Sequence, residues 1–202
     1  MRWVILLICL GQAAQADPIA AMSDAATKAF SRMPDVVIVP QIAGNCGATP
    51  AVDQRVAYCT TSNEILVSAA AQTLPELTYL LGHAFGHAVQ VQHGVADIAL
   101  RDIRNRPEDE TMLRGLVERQ VDCIAGFLTA RAGLAPNDLT DFFVADPMTQ
   151  PHWGRSPLRI GPVVDVPLSA RADWFGIGQQ GDIGACAPGE FTGRGLVRAL
   201  RD

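Results

Sequence analysis

The sequence predicts a single α+β domain, mainly helical with a small antiparallel sheet. Two long segments, 74–91 and 108–133, carry apolar residues at helical spacing. Three short runs at 36–39, 55–58 and 64–67 precede them and have the composition of strands. The chain has 202 residues, of which 49% are hydrophobic and 18% charged, so it is long and apolar enough to bury one core.

The chain begins with a predicted signal peptide over residues 1–16. One positive charge precedes an apolar run at 3–10, and residues 14–16 have the small-x-small pattern that signal peptidase cleaves. The run is too short to cross a bilayer as a helix. A lipoprotein cysteine at Cys9 is the alternative, but Cys9 lies inside the apolar run. We therefore expect an exported protein, periplasmic or secreted, with one domain over 17–202 and no stable membrane anchor after cleavage.

The first part of the mature chain is predicted to form one helix and the sheet. An alanine-rich segment with apolar spacing predicts a helix over 18–33, and Pro34 ends it because proline cannot continue a helix. The run at 36–39 is β-branched and bounded by prolines, which is typical of a strand. Residues 60–63 have turn chemistry and separate the other two strand candidates.

The helices that follow have more distinct ends. Thr73 with Glu76 three residues later has the pattern of a capping box, and Gly94 is a natural stop for that helix. The next helix starts in the acidic run 108–110 and ends at Gly133. The remaining predictions are loop over 136–167, a short helix near 138–144 and a last helix over 170–179.

Four cysteines remain after removal of the signal peptide, and an even number in an oxidising compartment favours two disulfides. Four cysteines allow three pairings. A local Cys46–Cys59 bond would close a hairpin-like loop, and Cys123–Cys186 would then tie a central helix to the C-terminal segment. Buried free thiols are the alternative. No two cysteines have the close spacing of a zinc knuckle.

The charge pattern argues against a nucleic-acid partner. The formal net charge is −5 and the sequence contains no basic patch that would neutralise phosphates.

The first candidate site is a pair of histidines, His83 and His87, on the first of the two long helices. Residues four apart project from the same face of a helix, so both imidazoles can reach one tetrahedral zinc ion. A pair of this kind also occurs by chance on solvated helix surfaces, so the pair alone does not predict a metal site.

Two carboxylates one turn apart on the second long helix strengthen the metal interpretation. Glu118 supplies a third ligand, and Asp122 is placed to hold a ligand histidine by its outer ring nitrogen. The alternative is a solvated acidic edge in which Glu118 pairs with Arg114.

Three ordered segments make the sequence resemble the neutral zinc metallopeptidases of bacteria, a zincin family. The first is 46–47 followed by 57–59, and the second is 81–90 with 118–126 downstream. The third is a set of residues near the end: Arg171, Trp174, Phe175, Gly178, Gly181, Asp182 and Cys186. The resemblance implies a zincin-like fold and one Zn²⁺ held by His83, His87 and Glu118. It also implies a peptide or protein as the substrate or ligand.

The sequence departs from the family at Ala84, where the family has a glutamate directly after the first histidine. That glutamate takes the proton of the zinc-bound water, and alanine has no acceptor for it. Three interpretations stay open: a zinc-binding protein with impaired peptidase activity, an active peptidase in which Ala84 is an engineered substitution, and a non-catalytic module that binds a peptide or partner.

No other residue is assigned as the base. Glu76 lies two turns before Ala84 and is expected to serve the helix cap, and Asp97 and Asp102 fall in a segment without a predicted structure. His152 is a candidate for contact with an oxyanion, or is simply an exposed loop histidine.

The segment from His152 to Ala170 also departs from the family. Prolines punctuate it where the family has a histidine-glycine pair close before the matching arginine. Arg171 and Trp174 are therefore expected to pack the last helix and to fix the region of Cys123 and Cys186.

Overall fold

The computed structural model describes residues 17–134, 138–150 and 164–187, which contain five α-helices and one three-stranded sheet. The expected signal peptide and His152 lie outside these residues. The elements are α1 (Pro18–Ala29), β1 (Asp35–Val39), β2 (Val56–Cys59), β3 (Glu64–Ser68), α2 (Leu77–Gln92), α3 (Val95–Asn105), α4 (Glu110–Arg131) and α5 (Leu168–Gln179). Short 3₁₀ helices cover Ala69–Thr73, Pro107–Asp109, Leu139–Asp141 and Ile183–Cys186. The predicted fold class, a mainly helical α+β domain, is confirmed.

The sheet is mixed, whereas the sequence predicted an antiparallel one. Strand β3 lies in the middle, antiparallel to β2 and parallel to β1. A short turn after Cys59 forces β2 and β3 to run in opposite directions. The connection over 40–55 carries the chain from the end of β1, past the end of β3, to the other edge of the sheet, so β2 begins at the end of the sheet where β1 finishes. Strand β3 then returns between them and runs parallel to β1.

Apolar side chains cover both faces of the sheet. In β3, Ile65 and Val67 belong to the main core with the helices, while Leu66 joins Ala57 in a smaller cluster on the other face. Alternation along a strand directs successive side chains to opposite faces, which explains why β3 is buried from Ile65 to Ser68.

Helix α2 begins three residues later than the capping box predicted, at Leu77 rather than at residue 74. Thr73 ends a 3₁₀ helix, and Glu76 occupies the N-cap position without a side-chain bond to the helix. Pro75 is the cause, because a proline disfavours helical geometry in the residue before it, and Leu74 is extended with ψ of 134°. Helix α2 is therefore anchored by burial: almost every residue from Leu77 onward packs in the core.

Helix α3 was not predicted from the sequence. Gly94 adopts a left-handed conformation, with φ of 76°, and lets the chain turn sharply from α2 into α3. One face of α3 carries the buried residues Val95, Ala99 and Ile103 at intervals of four. The last helix is close to its predicted range and starts at Leu168 rather than at residue 170.

Helices α4 and α5 pack at very short distance because each presents a glycine to the other. A Cβ atom at Gly178 would lie 1.8 Å from the carbonyl oxygen of Cys123, and one at Gly126 would lie 2.0 Å from that of Phe175. Only glycine permits such backbone contact. No helix in the described part of the chain is long and apolar enough to cross a membrane.

Candidate metal centre

The two histidines lie at the contact between α2 and α4. Each follows a glycine that faces α4: a Cβ at Gly82 would lie 2.9 Å from that of Ala125, and a Cβ at Gly86 would be equally close to Val121. The glycines bring the two helices together, and the imidazoles of His83 and His87 are almost completely buried. Their Nε2 atoms face each other at 3.2 Å.

Glu118 on α4 completes the group. Its carboxylate oxygens lie 3.6 Å from Nε2 of His83 and 3.9 Å from Nε2 of His87. The ligand atoms of these three residues all lie within 4.8 Å of one another. A tetrahedral zinc ion with bonds near 2.1 Å separates its ligand atoms by about 3.4 Å, so side chains at these distances fit such an ion after small shifts.

Asp122 fixes the orientation of His83. The Nδ1 atom of His83 lies 3.0 Å from Oδ1 of Asp122, and the hydroxyl of Tyr79 donates to the same oxygen at 2.9 Å. A carboxylate in this position places the imidazole hydrogen on Nδ1, so the lone pair on Nε2 points into the site. This contact is the one that the sequence suggested for Asp122.

The Asp122 carboxyl is completely buried, and burial raises its pKa to about 6, while the guanidinium of Arg171 opposes that rise. Burial and the neighbouring Asp122 also raise the pKa of Tyr79 well above its ordinary value. Tyr79 therefore stays a neutral hydrogen-bond donor at physiological pH.

The sequence suggested that Arg171 only packs the last helix. In the structure, its guanidinium lies against the candidate metal site. Only 1% of its side chain is exposed, and Nη1 contacts Oδ2 of Asp122 at 2.9 Å and Oε2 of Glu118 at 3.4 Å. On the other side, Nε donates to Asp146 at 2.8 Å. Burial alone would lower the pKa of Arg171, but Asp122 and the other acidic neighbours raise it, so the guanidinium is charged. Trp174 is partly buried and packs against the main core.

The described residues do not balance the charges of this cluster by themselves. The carboxylates of Glu118, Asp122 and Asp146 face one guanidinium, that of Arg171, which leaves two negative charges in a largely buried region. Buried charges are paired with opposite charges or with metal ions. A divalent cation bound between the imidazoles and Glu118 would neutralise the cluster, and two imidazoles with one carboxylate are a ligand set suited to zinc.

No carboxylate replaces the missing glutamate among the described residues. Ala84 packs in the main core and is 5% exposed. Glu76 is at the start of α2, Asp97 is exposed on α3, and Asp102 lies near Arg101. None of these belongs to the group that can hold a metal.

Two disulfides are present. Cys46 bonds to Cys59, and Cys123 bonds to Cys186, which ties α4 to the segment after α5. The second bond starts at the residue next to Asp122, and the amide of Gln120 donates to the carbonyl of Cys186 at 3.0 Å. The C-terminal part of the described chain is therefore fixed directly beside the site.

Sequence reasoning missed two side chains of the site. Tyr79 lies one turn before His83 on the same face of α2, so its helical spacing was a usable signal. Asp146 lies in an irregular segment and contacts Arg171, which is 25 residues later. No local pattern connects these two residues.

Models of known protein families, curated proteins and solved structures were each compared with this chain, and none matched it.

Proposed function

We propose that this is an exported zinc-binding protein of the zincin type, with peptidase chemistry impaired at Ala84. The observation that carries the proposal is the buried group of His83, His87 and Glu118, with the Asp122 carboxylate on the outer nitrogen of His83. Random histidine pairs lack this combination of a third ligand and an orienting carboxylate. The ordered resemblance to bacterial neutral zinc metallopeptidases supports the same conclusion.

The residues of the chain have separate tasks in this proposal. His83, His87 and Glu118 hold the ion, and Asp122 keeps the first imidazole in the tautomer that binds metal. A zinc ion with three protein ligands polarises a carbonyl group and lowers the pKa of a bound water. The methyl group of Ala84 cannot accept the proton of that water or pass it to a leaving amine.

The loss of such a base sets the scale of the impairment. General-base catalysis contributes about 10²–10⁴ in rate, which corresponds to roughly 3–5.5 kcal/mol of transition-state stabilisation. Metal binding is retained because the missing glutamate is not a ligand. The two disulfides support export to an oxidising compartment.

Metal analysis tests the first half of the proposal. The purified mature protein is expected to contain one zinc ion per chain, and His83→Ala is expected to lose it. His93→Gln is the matched control, because His93 follows the same helix but bonds to the carbonyl of Ser31 rather than to the site. A wild-type protein without stoichiometric zinc, or a His83→Ala variant that keeps it, contradicts the proposed site.

Peptidase assays of Ala84→Glu and Ala84→Gln test the second half. The two new side chains have nearly the same size at a position that is 5% exposed, so they impose similar packing costs, but only glutamate can accept a proton. Ala84→Glu is expected to hydrolyse peptides at least 10²-fold faster than wild type, in a chelator-sensitive way, while Ala84→Gln is not. Chelator-sensitive hydrolysis by the wild type at the rate of Ala84→Glu would refute the impairment.

A further inference from the structure

Arg171 connects the three carboxylates that the described residues place around the proposed metal position. It lies in the first turn of α5 with 1% of its side chain exposed. One of its nitrogens contacts both Asp122 and Glu118, at 2.9 and 3.4 Å. Another bonds to Asp146 at 2.8 Å. Its donors are therefore directed at protein carboxylates, and its burial leaves little surface for a substrate group.

Two features of the fold hold the guanidinium in this place. The glycine contacts between α4 and α5 bring the start of α5 close to Asp122. The segment with Asp146 is held on its far side by Arg55, which donates to the carbonyl of Pro147 at 2.9 Å and pairs with the buried Asp53. Arg171 is thus positioned independently of any metal.

The position of the Arg171 guanidinium allows it to neutralise the carboxylates around the proposed metal site. Without Arg171, three carboxylates would lie together in a region where Asp122 is completely buried and Glu118 is 15% exposed. Unpaired buried charge is strongly destabilising. The guanidinium contacts the third ligand directly, and it reaches His83 through Asp122, so it touches both halves of the ligand group.

We propose that Arg171 is a positioning residue that keeps the ligands assembled in the metal-free protein, so that the ion enters a preformed site. The inference rests on the proposed zinc site. The ion and the guanidinium neutralise the same carboxylates, so each stabilises the fold less when the other is present. Because Arg171 already neutralises part of the negative charge, the protein folds before it receives its metal.

Thermal unfolding with and without zinc tests this role. The experiment compares the wild type with Arg171→Met and Arg171→Lys, in chelator and in saturating zinc. In Arg171→Met, Tm is expected to fall much more in chelator than in zinc, so that the zinc-induced rise in Tm is at least twice that of the wild type. Arg171→Lys keeps the charge, and its zinc-induced rise is expected to remain close to that of the wild type even though its Tm is lower.

Arg114→Met is the control for the loss of an arginine that pairs with a buried carboxylate outside the site. Arg114 contacts Oε1 of Glu110 at 2.8 Å rather than the metal ligands or Asp146, so the Tm of this variant is expected to fall equally with and without zinc. Should Arg171→Met fail to fold in chelator, it is expected to fold when zinc is supplied during refolding. The double variant Arg171→Met/Asp146→Asn removes one charge of each sign and is expected to fold without zinc.

The outcomes separate this inference from the proposed function. A wild type whose Tm does not respond to zinc contradicts the metal site itself. A wild type that responds normally, with an equal or smaller response in Arg171→Met, refutes only the role of Arg171. The role is refuted as well if Arg171→Met and the double variant stay unfolded in zinc and in chelator alike.

Discussion

Replacement of Gly178 by alanine is expected to damage both the fold and the metal site. The added Cβ would lie 1.8 Å from the carbonyl oxygen of Cys123 and 2.8 Å from the backbone nitrogen of Phe127. Atoms of this kind essentially never approach below 3.0 Å, so α4 and α5 must separate by at least about 1.2 Å. Backbone atoms form the contact on α4, so no side-chain rotation can relieve it.

The separation also weakens the contact at the other end of α5. A shift of about 1.2 Å carried along the helix would lengthen the 2.9 Å contact between Arg171 and Asp122 to about 4 Å. Overpacking costs about 1–3 kcal/mol, and breaking a buried ion pair costs about 3–5 kcal/mol. A total of at least about 4 kcal/mol corresponds to a fall in Tm of about 10 °C or more for a chain of this size.

Gly176 provides the control, because it lies on the same helix and a Cβ there would meet nothing within 4 Å among the described residues. Gly176→Ala is expected to leave Tm unchanged or to raise it slightly, since alanine favours helix by up to about 1 kcal/mol. Calorimetry of both variants, with zinc affinity measured by chelator competition, checks the prediction. The reasoning is refuted if Gly178→Ala unfolds within 2 °C of Gly176→Ala, an interval far below the roughly 10 °C expected.

Two further predictions concern the surroundings of the site. Asp122→Asn is expected to weaken zinc binding about 10–100-fold, because an amide cannot act as a charged acceptor for His83. Chelator competition measures the zinc affinity. A change below about threefold, well under the range expected for such a contact, would contradict the orienting role of Asp122. Replacing Cys123 and Cys186 by serine is expected to cost about 1.4 kcal/mol more stability than replacing Cys46 and Cys59, because the bonded residues are 63 rather than 13 positions apart. Denaturant titration of the two double variants checks this, and a larger loss for the local pair would count against it.

The candidate ligand residues could be predicted from the sequence because each pair lies only four positions apart. His83 and His87 are four apart on one helix, as are Glu118 and Asp122 on another, and each pair shares a face by helical geometry alone. The missing base at Ala84 is likewise a property of one position. The fold class followed from patterns of the same short range, namely helical and strand periodicity.

Short-range sequence patterns did not predict the direction of β1 or the first residue of α2. Strand β1 pairs directly with β3 although β2 lies between them in sequence, so its direction relative to β3 depends on the path of residues 40–55 rather than on its own composition. The capping pattern at Thr73 predicted a helix that includes Leu74. Pro75 disfavours helical geometry in the residue before it, so Leu74 is extended and α2 starts at Leu77.

The sequence by itself determined the helical pairs of candidate ligands, the absence of a glutamate at position 84 and the four cysteines that follow the expected signal peptide. Only the tertiary structure decided that the two pairs meet, because Gly82 and Gly86 face α4 and allow the close crossing. It also placed Arg171 and Asp146 beside the ligands. The balance of buried charge is a sum over side chains that are distant in sequence, so local periodicity carries no information about it.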